Sequence, residues 1–131
     1  MKFPPPVADL IGFVVEEAGG SESVLTLVAE ERHSSPLGTL HGGILCDLAD
    51  AAMGVVMFSS LEPGESFTTL ELKINYLRPF WTGKLIARGR IVKRGRTIAL
   101  AECDVFDEQE RLVARSSSTC MVLRGEMAEG R

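Results

Sequence analysis

Residues 39–58 read Thr39-Leu-His-Gly-Gly-Ile-Leu-Cys-Asp-Leu-Ala-Asp-Ala-Ala-Met-Gly-Val-Val-Met-Phe58. This is the only long segment of the chain with helical character. It is almost wholly apolar or small, as expected of a helix buried on most sides. A His-Gly-Gly stands at one end and two carboxylates, Asp47 and Asp50, stand inside. Burying an unpaired charge is costly, so acids in such a setting need a reason. The spacing predicts a helix from about His41 to Ser59.

Every other segment reads as strand or turn. Pro4-Pro5-Pro6 makes a stiff lead-in, and Val7 to Leu10 a short helical turn. Gly12 to Glu17 reads as a first strand and Ser23 to Glu30 as a second. In the second, Val24, Thr26 and Val28 alternate with Leu25, Leu27 and Ala29. His33 to Gly38 is loop by composition. After the helix come four further strands, at Phe67–Leu77, Lys84–Arg94, Thr97–Phe106 and Leu112–Leu123. In the first of these, Leu70, Leu72, Ile74 and Tyr76 share one face and Thr69, Glu71, Lys73 and Asn75 the other. In the next, Leu85, Ala87, Gly89 and Ile91 point one way and Lys84, Arg88, Arg90 and Arg94 the other, provided no bulge intervenes. Residues 125–131 read as a frayed tail. Six strands with short later connections and one long helix predict an α+β fold, an antiparallel sheet with one face on the helix. Ala49, Ala51, Ala52 and Gly54 let the sheet approach closely.

The bulk properties bound the function. A chain of 131 residues reads as one domain, and it needs no disulfide or metal staple. The net charge of -4 argues against a nucleic-acid partner. Yet residues 78–96 hold seven of the 14 basic side chains (Arg78, Lys84, Arg88, Arg90, Lys93, Arg94, Arg96) and no acid. A local basic strip suits a compact anionic ligand. Cys46, Cys103 and Cys120 have neither metal-ligand nor redox spacing. They read as free thiols of a cytoplasmic protein. No signal-peptide core is present at the N-terminus, and Asp47 and Asp50 interrupt the longest apolar run, which argues against a membrane span. No cofactor or metal site is expected; GRGR around residue 95 is a hairpin, not a phosphate loop.

Chemistry concentrates at two places on the predicted helix. Backbone N–H groups in its first turn lack intrahelical partners and sit at the positive end of the helix dipole. The glycines at positions 42 and 43 leave them open to a carbonyl oxygen that gains charge. The plainer reading is a glycine-rich loop entering a helix. Asp50 lies too far in to be a cap, so it is the candidate base, whereas Asp47 reads as a structural acid favoured by the dipole. Gly42 and Asp50 stand eight positions, about 12 Å, apart along the axis. One carbonyl cannot meet both within one chain, so joint action requires a twofold homodimer.

The stretch TLHGGILCDLADAAMG, followed by TTLELKINYLRPF, resembles the hotdog-fold acyl-CoA thioesterases of the phenylacetate-degradation (PaaI-like) type, over roughly residues 12–123. The resemblance implies a long helix wrapped by an antiparallel sheet, assembled as dimers and commonly as tetramers. It implies Asp50 as general base or nucleophile, the Gly42 N–H as the group polarising the thioester carbonyl, and His41 beside it. It implies Thr69 as the residue that orients water. Many relatives have an Asn six residues before the His; here that position is Ser35, whose reach is shorter. Gly43 is assigned to the substrate site, with Arg78, Arg88, Arg94 and Arg96 as candidates for the phosphates of coenzyme A. Met53, Met57, Phe80 and Trp81 are the expected shapers of the acyl pocket. A non-catalytic acyl-CoA-binding module on the same fold is the rival reading.

Overall fold

The computed structural model describes residues 4–131. Proline and glycine punctuate its start. Helix α1 (Pro6–Ile11) opens on Pro6, in the first turn where a missing N–H is harmless. It closes at Gly12, which adopts φ 100° and donates its N–H to the Ala8 carbonyl. The stiff lead-in is therefore shorter than the proline run. Strands β1 (Phe13–Gly19) and β2 (Glu22–Ala29) follow as a hairpin. The long helix is α2 (Gly42–Ser59), and strands β3 (Ser66–Tyr76), β4 (Gly83–Arg94), β5 (Ile98–Asp107) and β6 (Leu112–Leu123) complete the chain. Where a frayed tail was expected, Gly125–Ala128 form a turn of 3-10 helix. The Arg124 side chain anchors the chain just before it, bridging the Glu65 carboxylate at 2.6 Å and the Arg96 carbonyl at 2.5 Å.

The strands make one antiparallel sheet in the order β1-β2-β4-β5-β6-β3. The chain passes along α2 between β2 and β3, so β3 ends at the far edge and β4 returns beside β2. The sheet curls round α2, the layout that the resemblance implies. The inward alternation is as read from the sequence: Leu25, Leu27, Leu85, Ala87, Ala101, Cys103 and Val105 are buried beneath α2. They meet Leu45, Leu48, Ala49, Ala52, Met53 and Val56 of the helix. By length and composition α2 would suit a membrane span, but this whole side of it is packed on the sheet.

Irregularities of register occur at four of the strand pairings, and those within β3 and β4 overturn the faces read from the sequence. In β3, Thr69 pairs with Cys120 and Glu71 with Thr119, so Leu70 is an extra residue. Thr69 consequently stays on the helix side with Phe67, and Leu72, Ile74 and Tyr76 resume that side beyond the bulge, leaving Leu70 54% exposed. In β4, Ile91 pairs with Ala101 and Lys93 with Leu100. Val92 is the extra residue, and it turns Arg94 from the outer face to the side of buried Ala99.

Candidate active site

The first turn of α2 is held from three directions. His41 is its N-cap: the backbone is extended, and Nδ1 accepts the Gly43 N–H at 2.9 Å. Behind it, the His41 N–H donates to the His33 carbonyl and the Leu40 N–H to the Phe80 carbonyl. His33 itself is a structural ligand of the loop, with Nδ1 accepting from the Glu30 N–H and Nε2 at 2.8 Å from the Ile11 carbonyl. From the sheet edge, the Tyr76 hydroxyl donates to the Gly42 carbonyl at 3.0 Å.

These two rings explain both glycines. A Cβ on Gly43 would lie 2.8 Å from His41 Nδ1, and a Cβ on Gly42 would lie 2.8 Å from Tyr76 Cζ. They also separate the roles of the two N–H groups. The Gly43 N–H is committed to His41, so it is no free donor to substrate. The Gly42 N–H has no protein partner among the described residues. Among the described residues, then, one of the two glycine N–H groups is available at the positive end of the helix.

Asp50 lies on the stripe of α2 that the sheet leaves open. With Asp47 it lines a cavity of about 270 Å³ whose other walls include Val7, Phe13, Val55, Phe58 and Phe67. The Asp50 side chain retains open surface in the single chain, yet desolvation by these apolar neighbours raises its pKa above the ordinary carboxylate value. The result is a base stronger than a solvated carboxylate. Asp47 differs from its expected structural part. It borders the same cavity, its Oδ2 is buried with no hydrogen-bond partner, and its pKa is raised by desolvation and then by the charge of Asp50. The i, i+3 spacing in the sequence was the available signal for this proximity. Cys46, on the same stripe, has its thiol pKa raised by desolvation and by both aspartates, so it is no thiolate nucleophile. Among the described residues, no three His, Cys, Asp or Glu side chains converge as a metal ligand set.

The remaining predicted site residues are scattered. The Thr69 hydroxyl lies 3.8 Å from Cys120 Sγ, on the helix side of β3 but outside the cavity wall. Ser35 is occupied in its own turn: its hydroxyl accepts the Leu37 N–H and meets Thr39 Oγ1 at 3.3 Å. The basic strip is not one patch. Arg94 is tied to Glu65 Oε1 at 2.8 Å, the Gly95 carbonyl and Ser60 Oγ, at the C-terminal end of α2. Arg88 faces outward, beside a depression lined also by Glu17, Glu22 and Asp104. Arg96 sits in the β4–β5 turn. Arg78 alone stands near the Gly42 end, two residues past Tyr76, where the N–H groups of Leu77 and Arg78 both donate to the Val113 carbonyl. Sequence neighbours separated here because a bulge and a hairpin intervene. Met53 and Met57 are core residues, 1% and 0% exposed; aromatic residues of α2, β1 and β3 line the cavity in their place. Tyr76 had no assigned role, since its contact with Gly42 spans 34 positions and leaves no local trace.

Comparison with known proteins agrees with this fold. Residues 37–114, which include α2 and the Asp50 cavity stripe, match the model of the Thioesterase superfamily. The 1,4-dihydroxy-2-naphthoyl-CoA hydrolase of Listeria monocytogenes is 29% identical over 114 residues, 87% of this chain and 93% of that one. The crystal structure of a thioesterase from Haemophilus influenzae superposes with a TM-score of 0.86 at 27% identity, covering 92% of this chain and 85% of that one. A mutant form of the phenylacetic acid degradation protein PaaI of Thermus thermophilus gives a TM-score of 0.83 at 27% identity, covering 89% and 98%. An unpaired helix-terminal N–H, a desolvated carboxylate on the same helix, and a sheet curled round that helix thus accompany a family match over more than half the chain: the protein belongs to the thioesterase superfamily and is a thioester hydrolase of the hotdog fold.

Proposed function

We propose that the protein hydrolyses an acyl-CoA or aryl-CoA thioester to the free acid and coenzyme A. The observation that carries this reading is the pairing, on one helix, of an unpaired Gly42 N–H with Asp50 at the wall of an aromatic-lined cavity. Asp50 removes a proton from water as the water oxygen bonds to the thioester carbon. The carbonyl electrons move onto oxygen, where the Gly42 N–H receives the charge. As the C=O re-forms, the C–S bond breaks and the thiolate takes up a proton. Direct attack by the Asp50 carboxylate, followed by hydrolysis of the anhydride, uses the same groups. His41 acts by capping the helix through Gly43.

Because Gly42 and Asp50 of one chain are about 12 Å apart, the reading requires a homodimer in which Asp50 of one subunit faces the Gly42 turn of the other. Both sheet edges, β1 and β3, are unpaired in the single chain, which supports association along an edge, and pairing of such dimers into a tetramer extends the proposal. The three cysteines are free, which accords with a cytoplasmic location. The test is thiol release from a panel of acetyl-, hexanoyl-, palmitoyl-, benzoyl- and phenylacetyl-CoA. Wild-type protein should turn over at least one member, and Asp50→Asn should lose at least about a hundredfold in kcat. Full turnover by Asp50→Asn would refute the assignment.

A further inference from the structure

Tyr76 closes β3, and its side chain reaches across to the first turn of α2. Three observations set its contact with Gly42 apart from incidental packing. First, the hydrogen bond from the Tyr76 hydroxyl to the Gly42 carbonyl, at 3.0 Å, is not needed to satisfy either group. Tyr76 is 54% exposed, so water would serve its hydroxyl. The Gly42 carbonyl, at the start of an α-helix, already takes the N–H four residues on. Second, the ring lies so close to Gly42 that a Cβ there would be 2.8–3.1 Å from three of its atoms, Cζ, Oη and Cε1. Third, the backbone carrying the ring is rigid. Tyr76 pairs with Ala114, and the next two N–H groups converge on the Val113 carbonyl.

Glycine is the residue with the most freedom to rotate, and an N-terminal helical turn is the part most prone to fray. A donor that must stabilise charge in a transition state works only if it is fixed beforehand. Here the Gly42–Gly43 peptide is clamped at both ends, its carbonyl by the Tyr76 hydroxyl and its N–H by His41 Nδ1. The preceding peptide is held by the Ile44 N–H on the His41 carbonyl, and among the described residues the Gly42 N–H has no partner.

We propose that Tyr76 is a positioning residue of the active site, whose hydroxyl and ring lock Gly42 so that its N–H is aimed at the thioester oxygen. The proposal rests on the reading of Gly42 as the carbonyl-polarising group. It adds a residue from the opposite edge of the sheet, and it gives a reason for glycine at position 42 besides ligand access.

The experiment compares wild type, Tyr76→Phe and Asp50→Asn on whichever thioester of the panel the wild type turns over fastest. Tyr76→Phe keeps the ring on Gly42 and removes only the hydroxyl. Its kcat should fall about three- to tenfold, the free-energy scale of one net hydrogen bond, with KM unchanged, because the Gly42 N–H that the bond aims meets charge only in the transition state, and with Tm unchanged, because the Gly42 carbonyl keeps its helical partner. A second arm reads the ring contact. Gly42→Ala should lower Tm in the wild-type background and should cost little in a Tyr76→Ala background, where the new methyl has room. Unchanged kcat in Tyr76→Phe alongside an inactive Asp50→Asn overturns this proposal and leaves the thioesterase assignment standing. A parallel fall of kcat and Tm, or an equal Tm loss from Gly42→Ala in both backgrounds, reduces Tyr76 to a structural residue. A wild type that releases thiol from no member of the panel removes the acyl-CoA reading and this proposal with it.

Discussion

Gly89 of β4 faces the Ala52 carbonyl of α2 so closely that a Cβ on Gly89 would sit 2.7 Å from that oxygen and 2.6 Å from Ser23 Oγ. The same carbonyl accepts a hydrogen bond from the buried Ser23 hydroxyl at 2.8 Å. Here the sheet backbone meets the helix backbone with no room for a side chain between them, which limits how far α2 can shift on the sheet. Because the obstruction includes helix backbone, no rotamer relieves it. Gly89→Ala should therefore destabilise the protein by on the order of 3 kcal/mol, a fall in Tm of roughly 10 °C. Thermal unfolding measures it, and an unchanged Tm would show that the helix can ride higher than described.

The arginines of the basic strip divide into structural and available ones. Arg94 joins the end of α2, the loop before β3 and the β4–β5 turn through Ser60, Glu65 and Gly95. Arg78 has no side-chain partner among the described residues and stands at the Gly42 end. Arg94→Ala should lower Tm by a few degrees and leave KM for acyl-CoA unchanged. If Arg78 holds a phosphate of the proposed coenzyme A thioester, Arg78→Ala should leave Tm unchanged and raise KM several-fold. The opposite pattern, with KM responding to Arg94, would place the nucleotide at the other end of the helix.

What the sequence reveals of this protein follows from the range over which each signal acts. Period-two alternation in Leu25–Leu27–Ala29 and Leu85–Ala87–Gly89, and the small residues Ala49, Ala52 and Gly54, are local patterns, and strands, helix and inner face are legible from them. A bulge is one inserted residue with no compositional mark, so Leu70 and Val92 escape notice, and with them the true faces of Thr69 and Arg94. Asp50 and the His-Gly-Gly turn stand out because each violates the surrounding pattern. Which stripe of α2 stays open is decided by the curl of the sheet. That is why Met53 and Met57 look as suited to a pocket as Val55 and Phe58, and why Asp47 looks structural.

The two aspartates make a prediction about pH. Both carboxyls have raised pKa values in the folded chain, Asp47 by desolvation and then by the charge of Asp50, and Asp50 by desolvation. The folded state thus holds these protons more tightly than the unfolded chain does. Their stabilising contribution is fully present below the ordinary value of 3.8 and is lost as pH rises through the raised values. Asp47→Asn removes one such group. Its Tm should exceed the wild-type Tm by a margin that is small near about pH 4 and widens toward pH 7. A Tm margin that shrinks with rising pH would mean that Asp47 finds a cationic partner in the assembled protein.

The separation of Gly42 from Asp50 makes the shared site testable without a structure of the assembly. Gly42→Ala drives a methyl into the Tyr76 ring and should disable the carbonyl-polarising turn, while Asp50→Asn disables the base. Each homodimer is then inactive at both sites. Unfolding the two variants together in equal amounts and refolding them makes about half of the dimers mixed. Each mixed dimer has one site carrying both defects and one site carrying neither. The mixture should recover about a quarter of wild-type activity, and neither variant refolded alone should recover any. Should the base and the donor act within one chain, every site in the mixture would carry one defect and no activity would return, so the recovered fraction directly reports whether α2 serves two sites or one.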